Sequence, residues 1–154
     1  MDFKIDKMSL EDLISIKDIL TTEFDDFWNY EILKSELESN NSYFFVAKNI
    51  SGEIVGFSGI KIILDEADIM NIVVKKDFRN NGIGSLLLDY LISYSKSINL
   101  KTITLEVNEL NLPAIKLYEK FAFSKLGIRK KYYNGENDAI IMRKSFKQCW
   151  TKVL

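Results

Sequence analysis

Two glycines stand one residue apart in the stretch FRNNGIGSLLLDYLI, residues 78–92, between a strand-like run and a leucine-rich helical pattern. Small residues at the N-terminus of a helix let backbone N–H groups approach a phosphate, whose charge the helix dipole favours. Arg79 could add a charge-assisted hydrogen bond to such an anion. The spacing therefore indicates a phosphate-binding loop or, more simply, a tight turn at Gly82 and Gly84.

Two better-known phosphate loops do not fit this stretch. A dinucleotide-binding fingerprint needs a third glycine, where this chain has Leu87, and its strand would have to end closer to the loop. A P-loop needs Gly-Lys followed by Ser or Thr, which is absent after Gly84. What remains is anion binding by the helix N-terminus itself.

The chain contains no histidine. This excludes the usual catalytic triads and histidine-based metal sites, and we expect no metal. Proton transfer near neutral pH must then use a carboxylate, a tyrosine, a lysine, a cysteine or water. Because Cys149 is the one cysteine, no internal disulfide can form, which suits a reducing compartment.

The run TITLEV, residues 102–107, alternates apolar and polar side chains like a half-buried strand. Ile103, Leu105 and Val107 fall on one face, so Glu106 falls on the other. By these residues alone, Glu106 is an ordinary solvated glutamate and Tyr118, in the next helical pattern, is a core tyrosine whose hydroxyl reaches the surface.

Length and charge predict one compact domain. The 154 residues carry 21 basic and 22 acidic side chains, and this balance gives no global field for nucleic-acid binding. The start of the chain lacks a secretory signal, and no apolar run approaches the roughly 18 residues of a membrane span. We therefore expect a cytoplasmic protein that binds neither nucleic acid directly nor membrane.

The elements needed to position these residues follow from hydrophobic periodicity. Ser9 and Asp12 form a capping box, and an apolar stripe of Leu13, Ile16 and Leu20 predicts a first helix ending near residues 21–28. A second helix is expected over residues 30–38. A long helix after the glycine loop has its buried face at Leu87, Leu88, Leu91, Ile92 and Ile98. A last helix begins at Asn111, a candidate N-cap, with Pro113 in its first turn.

Strands are predicted over residues 3–8, 42–48, 53–64, 67–74, 102–107, 125–133 and 139–146. Gly52 and the Asn134-Gly135 pair supply turns. The order is strand, two helices, three strands, helix, strand, helix, two strands. This order predicts an α/β fold of mixed α+β type, with about seven strands in a mixed central sheet and about four flanking helices.

The loop and this element order resemble the Gcn5-related N-acetyltransferase (GNAT) family. Its signature is Arg or Gln, two residues, Gly, one residue, and Gly or Ala, which stands here as Arg79-Asn80-Asn81-Gly82-Ile83-Gly84. The resemblance implies that this loop, with Ser85, holds the pyrophosphate of acetyl-coenzyme A (acetyl-CoA). It implies that the backbone of Ile72, Val73 and Val74 pairs with the pantetheine arm. The likeness covers residues 1–146 as a single acetyltransferase domain and leaves out the tail, residues 147–154.

Within the family, three blocks resemble the RimI type, which acetylates the N-terminal alanine of a small-subunit ribosomal protein: LDEADIMNIVV, TLEVNELNLPAIKLYEKFAF and IRKKYYNGENDAIIM. Trp28 also stands where that type has a tryptophan. The resemblance implies that Glu106 is the general base and that Tyr118 is the general acid for the departing thiolate and a cofactor contact. Asn111 matches a cofactor-contacting asparagine, although a helix cap explains it equally well.

The candidate residues for binding the acceptor substrate are Trp28, Asn71 and Tyr132. The segment TEFDDFWNY, residues 22–30, mixes acidic and aromatic side chains, and KKYYNG adds Tyr132 and Tyr133. These residues could line a peptide groove, or they could be a solvated loop and a hairpin packed on the core. Direct acyl transfer needs no covalent enzyme intermediate, so Cys149 is expected to be incidental.

Two positions depart from the family pattern. Ala122 stands where the family has glycine, and alanine costs roughly 1 kcal/mol there if the backbone is left-handed. Phe27 replaces a proline before the tryptophan of the first loop.

Two alternative functions therefore stay open: acetylation of a lysine side chain, a polyamine or a small amine, and a non-catalytic acyl-CoA binding module. We expect a monomer or a weak dimer.

Overall fold

A computed structural model describes residues 2–25, 28–133 and 135–146. Its regular elements are β1 Lys4–Lys7, α1 Leu10–Ser15, α2 Tyr30–Leu37, β2 Ser42–Lys48, β3 Ile54–Ile63, β4 Glu66–Val74, α3 Ile83–Ser97, β5 Thr102–Asn108, α4 Leu112–Lys120, β6 Ser124–Tyr133 and β7 Asn137–Ser145. Short 3-10 turns cover Lys17–Ile19 and Lys76–Phe78, and a π-helical turn covers Leu20–Phe24. The predicted element order and mixed sheet are confirmed.

The seven strands form one sheet in the order β1-β2-β3-β4-β5-β7-β6. Antiparallel pairs join β1 to β2, β2 to β3, β5 to β7 and β6 to β7. β4 and β5 are parallel, with Glu66, Ala67 and Asp68 opposite Thr102, Ile103 and Thr104. A parallel pair needs a long crossover connection, and α3 supplies it.

The chain forms two compact units, Met1–Ile62 with Ile69–Ile92 and Ile63–Asp68 with Ser93–Leu154. The first unit buries two apolar clusters, one around Phe24 and Phe57 and one around Ile83 and Leu87. In the second unit the alternation predicted for residues 102–107 is confirmed. Ile103, Leu105 and Val107 are at most 5% exposed, whereas the polar side chains between them are half-buried.

The first helix begins as predicted but does not continue. Ser9 Oγ accepts a hydrogen bond from the Asp12 N–H at 3.1 Å, and the Asp12 carboxylate accepts one from the Ser9 N–H at 2.9 Å. After Ser15 the backbone passes through the 3-10 turn and the π-helical turn. These turns still bury Leu20 and Phe24, so the apolar stripe is satisfied without a continuous α-helix.

The prediction that Ile98 lies on the buried face of α3 is wrong, because the helix ends at Ser97. Asn99 adopts a left-handed backbone with φ 62°. The N–H of Leu100 then bonds to the Ser95 carbonyl at 3.1 Å, which is the pattern of a Schellman cap. The chain therefore turns early: Leu100 is buried at 7% exposure and Ile98 is 41% exposed.

The end of α4 repeats this motif with an unfavourable residue. Ala122 has φ 69°, the N–H of Ala122 bonds to the Glu119 carbonyl, and that of Phe123 bonds to the Tyr118 carbonyl. A left-handed backbone brings an alanine Cβ close to its own carbonyl, whereas glycine has no such strain. The helix that carries Tyr118 therefore ends in a strained cap.

Replacing Ala122 with glycine should stabilise the protein by roughly 1 kcal/mol, because the left-handed strain disappears. For a domain of this size, that corresponds to a rise of about 2–4 °C in Tm, measurable by calorimetry. The matched control is Ala114→Gly in the first turn of α4. It should lower stability by about 0.5–1 kcal/mol because its backbone is helical. Equal effects of the two changes would contradict a strained cap at Ala122.

Candidate active site

The glycine loop leads directly into α3, which begins at Ile83. Asn80 and Gly82 have left-handed backbones, with φ 66° and 78°. A Cβ on Gly82 would meet nothing within 4 Å, so glycine is needed there for its backbone rather than for space. The Gly82 carbonyl accepts the Leu86 N–H at 3.0 Å and starts the helical ladder. First-turn N–H groups have no partner within a helix, so they are available to an anion.

The loop is held by its own polar side chains. Arg79 Nε donates to the Val74 carbonyl at 3.2 Å, and Arg79 Nη2 donates to the Phe24 carbonyl at 2.9 Å. Asn81 Nδ2 lies 3.0 Å from the Phe78 carbonyl. Arg79, predicted to contact phosphate, thus also ties the loop to β4 and to the π-helical turn. Its phosphate contact stays a prediction.

The strand before the loop is anchored on both faces. Val73 belongs to the cluster around Phe57, whereas Ile72 and Val74 pack against the cluster around Ile83. Apolar packing therefore fixes this part of β4 through its side chains, while the proposed pantetheine contacts would use its backbone.

Lys75 follows β4 and pairs with two carboxylates. Its Nζ lies 2.7 Å from Glu53 Oε2 and 3.5 Å from Glu23 Oε1, and its side chain is 12% exposed. The hydrogen bond that Lys75 donates to Glu53 raises the pKa of Lys75, and accepting the same bond lowers the pKa of Glu53. One largely buried cation in the first unit thereby pairs with two carboxylates, which leaves the group of three with a net charge of −1.

Each outward-facing side chain of β5 in the predicted alternation has a polar partner in the second unit. Thr102 Oγ1 lies 3.3 Å from Glu66 Oε1, and Arg143 Nε donates to Thr104 Oγ1 at 3.2 Å. Glu106 Oε1 lies 2.8 Å from Arg129 Nη2 on β6. Glu106 is 27% exposed, so its carboxylate can still be reached from outside.

An acidic residue of β4 borders this polar row. Asp68 pairs in register with Thr104. Asp68 is exposed, but the protein beside it displaces part of the water around its carboxyl and raises its pKa; the charge of Glu66 raises that pKa further, and Arg143 opposes both. The polar face of β5 thus adjoins a carboxylate that ionises less readily than usual.

Asn111 directly precedes α4, and Tyr118 lies within the helix. Asn111 is the predicted N-cap: its Oδ1 accepts the Ala114 N–H at 3.3 Å, and Pro113 stands in the first turn. Tyr118 is half-buried, with its ring 5.9 Å from the ring of Phe123. The cap role of Asn111 is confirmed, and its cofactor contact stays a prediction.

The acceptor candidates occupy three different environments. Trp28 is partly buried against the cluster around Phe57. Asn71 is 7% exposed, and neither its Oδ1 nor its Nδ2 has a hydrogen-bond partner among the described residues. Tyr132 is 46% exposed, and the Arg129 guanidinium lies 4.9 Å from its ring centroid. Of the three, Tyr132 is linked to Glu106, through Arg129.

Sequence reasoning did not single out Arg129. Its pairing with Glu106 spans two strand neighbours, β5 to β7 and β7 to β6, and a strand pattern does not specify which side chains face each other across an intervening strand. Asp26, Phe27, Asn134, residues 147–154 with Cys149, and the side chain of Tyr133 lie outside what the structure describes.

The described residues contain neither a metal-binding cluster nor a membrane-spanning helix. No group of three or more His, Cys, Asp or Glu side chains in those residues is arranged to hold a metal ion. Likewise, none of the helices found there is long and apolar enough to cross a membrane.

Comparison with known proteins gives a consistent result. The model of the acetyltransferase (GNAT) family matches residues 13–123. A Bacillus subtilis (strain 168) protein, provisionally assigned as a [ribosomal protein bS18]-alanine N-acetyltransferase, is 35% identical over 88% of this chain and 90% of its own length. The [ribosomal protein bS18]-alanine N-acetyltransferase of Escherichia coli (strain K12) is 39% identical over 60% of this chain and 64% of that protein.

The crystal structure of the ribosomal-protein-S18-alanine N-acetyltransferase from Escherichia coli superposes with a TM-score of 0.88. It covers 99% of both chains at 28% identity. With the family match over residues 13–123, this chain belongs to the GNAT family and is an acyl-CoA-dependent N-acetyltransferase that uses acetyl-CoA.

Proposed function

We propose that this enzyme transfers the acetyl group of acetyl-CoA to the N-terminal α-amino group of a protein, the N-terminal alanine of a small-subunit ribosomal protein. The observation that carries this proposal is the 35% identity, over 88% of the chain, to the Bacillus subtilis protein provisionally assigned as a ribosomal-protein alanine N-acetyltransferase. The Glu106 side chain is partly exposed, and its carboxylate is a base of the type that the acceptor amine requires.

The cofactor is assigned to the loop and the strand before it. N–H groups of the first turn of α3 would bind the pyrophosphate, with the helix dipole favouring its charge. Ile72, Val73 and Val74 lie on β4 beyond Glu66, Ala67 and Asp68, the residues that pair with β5. Their backbone is assigned to the pantetheine arm and to the oxyanion that forms on the thioester carbonyl.

The reaction is direct acyl transfer. An α-ammonium group has a pKa of about 8 in water, and Glu106 accepts its proton directly or through a water molecule. The nitrogen lone pair attacks the thioester carbonyl carbon, a C–N bond forms and the C–S bond breaks. Tyr118 gives its proton to the thiolate, and the proton lost by the acylated nitrogen restores the phenol. The products are the N-acetylated chain and free coenzyme A.

The acceptor is tested by thiol release from acetyl-CoA with a short peptide that carries the N-terminus of the ribosomal protein. A copy with a blocked N-terminus and the same lysines is the control. Release with the free peptide alone would support the proposal. Release with both peptides would move the assignment to lysine side chains. Turnover of polyamines or small amines but of neither peptide would replace it with a small-amine substrate.

Glu106→Gln should lower kcat for the peptide by about 100-fold, because the amide cannot accept a proton. Acetyl-CoA affinity, measured by calorimetry, should not change. Glu119→Gln removes the same charge from an exposed position on α4 and should leave kcat unchanged. Full activity of Glu106→Gln would remove Glu106 from the mechanism.

Tyr118→Phe should lower kcat by at least about tenfold, because the thiolate must then leave without a proton donor. The loss should shrink with an acyl donor whose thiol is more acidic, since a better leaving group needs less protonation. Tyr90→Phe removes a hydroxyl from α3 and serves as the matched control. An equal loss with both donors would contradict the assignment of Tyr118 as acid.

Gly84→Glu should weaken acetyl-CoA binding roughly tenfold or more, about 1.4 kcal/mol, because a carboxylate at the start of α3 repels the pyrophosphate. The protein itself should remain stable, since a helix N-terminus favours negative charge. A Cβ at position 84 has room, with Val74 Cγ2 as its nearest neighbour at 3.9 Å.

The neutral isostere Gly84→Gln separates charge from size. Titration of both variants with acetyl-CoA should show Gly84→Gln binding much more tightly than Gly84→Glu. Equal affinities of the two variants would argue against phosphate binding by this helix N-terminus.

A further inference from the structure

The proposed base is paired with a cation on β6, which β7 separates from β5. Arg129 Nη2 lies 2.8 Å from Glu106 Oε1, and the Arg129 side chain is 55% exposed. A guanidinium does not deprotonate in proteins, so Arg129 cannot exchange protons with the substrate. It can act only as a fixed charge and a hydrogen-bond donor.

The backbone around Arg129 is built irregularly. Arg129 is opposite Ala139 on β7, but the β6–β7 register shifts between Arg129 and Tyr133. Within this shift Lys131 has a left-handed backbone with φ 50°. Irregularities of this kind bend a strand and re-aim its side chains.

Two carboxylates hold this irregularity in place. The Lys131 N–H donates to Asp138 Oδ1 at 2.8 Å, and the Asp138 N–H donates to Glu109 Oε2 at 2.8 Å. The Glu109 N–H in turn donates to the Asp138 carbonyl at 3.0 Å. Glu109 directly follows β5, so this ladder ties the end of the strand that carries Glu106 to the bend that aims Arg129.

The guanidinium is also held from a second side. Its central carbon lies 4.9 Å from the centroid of the Tyr132 ring, within the range of a cation–π contact. A glutamate side chain that is free to rotate loses rotamer entropy when it is fixed for reaction. Arg129, which contacts both Glu106 and the Tyr132 ring, would fix the Glu106 side chain before the acceptor binds.

We propose that Arg129 is a positioning residue for the general base: it holds Glu106 through Oε1, so that Oε2 faces the acceptor amine and receives its proton. This role rests on the proposed function of Glu106. Tyr132, predicted to contact the acceptor, then acts at least in part by supporting Arg129.

The test compares four variants with the peptide acceptor: Arg129→Gln, Arg129→Lys, Glu106→Gln and the double variant of Glu106→Gln with Arg129→Gln. Arg129→Gln should lower kcat roughly tenfold with the KM for acetyl-CoA unchanged, because only the base is misplaced. Arg129→Lys should recover part of this loss, because it keeps the charge and one N–H donor. Lys130→Gln, an exposed neighbour on β6, removes the same charge and should change nothing.

The double variant separates positioning from a general structural role. If Arg129 acts through Glu106, adding Arg129→Gln to Glu106→Gln should not lower kcat further, so the two losses should not multiply. Multiplying losses would overturn the proposal, and so would an Arg129→Gln variant with unchanged or raised kcat. A raised kcat with a lower acceptor KM would instead make Arg129 a competitor of the amine.

A readout independent of turnover keeps the two proposals apart. The carboxyl ¹³C signal of Glu106 should shift in Arg129→Gln and stay in place in Lys130→Gln. An unmoved signal would overturn the pairing itself. Failure of the proposed function would appear differently, as a wild-type enzyme that acetylates none of the tested amines or as a fully active Glu106→Gln variant.

Discussion

The alternation of β5 is the constraint on which the candidate catalytic half of the molecule depends. Burial of Ile103, Leu105 and Val107 leaves Glu106 no place but the opposite face. The same strand pairs in parallel with β4 and antiparallel with β7, so its register is fixed from both sides. Shifting it by one residue would bury the polar side chains and expose the apolar ones, and this penalty holds Glu106 in place.

The candidate cofactor half depends on a different principle. Backbone N–H groups are the predicted ligands of the cofactor phosphates, whereas side chains fix the conformation of the loop. Arg79 and Asn81 donate hydrogen bonds to backbone carbonyls of the loop, β4 and the π-helical turn. Gly82 provides the left-handed turn. The arrangement is suited to an anion because the helix start then presents N–H groups whose positions are already fixed.

Polar contacts at the edge of the sheet connect β5, which carries the candidate base, to the hairpin of β6 and β7. The ladder from Glu109 through Asp138 to Lys131 sets the bend of β6. Arg129 and Tyr132 flank this bend, and Arg129 reaches back to Glu106. The local backbone irregularity thus lies beside the arginine that pairs with the proposed base, and the same hairpin carries Tyr132, a candidate acceptor contact.

The element order, the buried face of β5, the capping residues Ser9 and Asn111 and the strain at Ala122 could be predicted from the sequence, because each depends on local periodicity or local backbone geometry. Packing between elements sets the break of the first helix after Ser15, the burial of Leu100 rather than Ile98, and the enclosure of Asn71. It also decided that Glu106 is paired with Arg129. These outcomes depend on how a helix end, a core or a neighbouring strand fills space, and the pairing joins residues 23 positions apart across an intervening strand. A one-dimensional pattern carries no information about such contacts, because register and helix ends are settled by packing between elements.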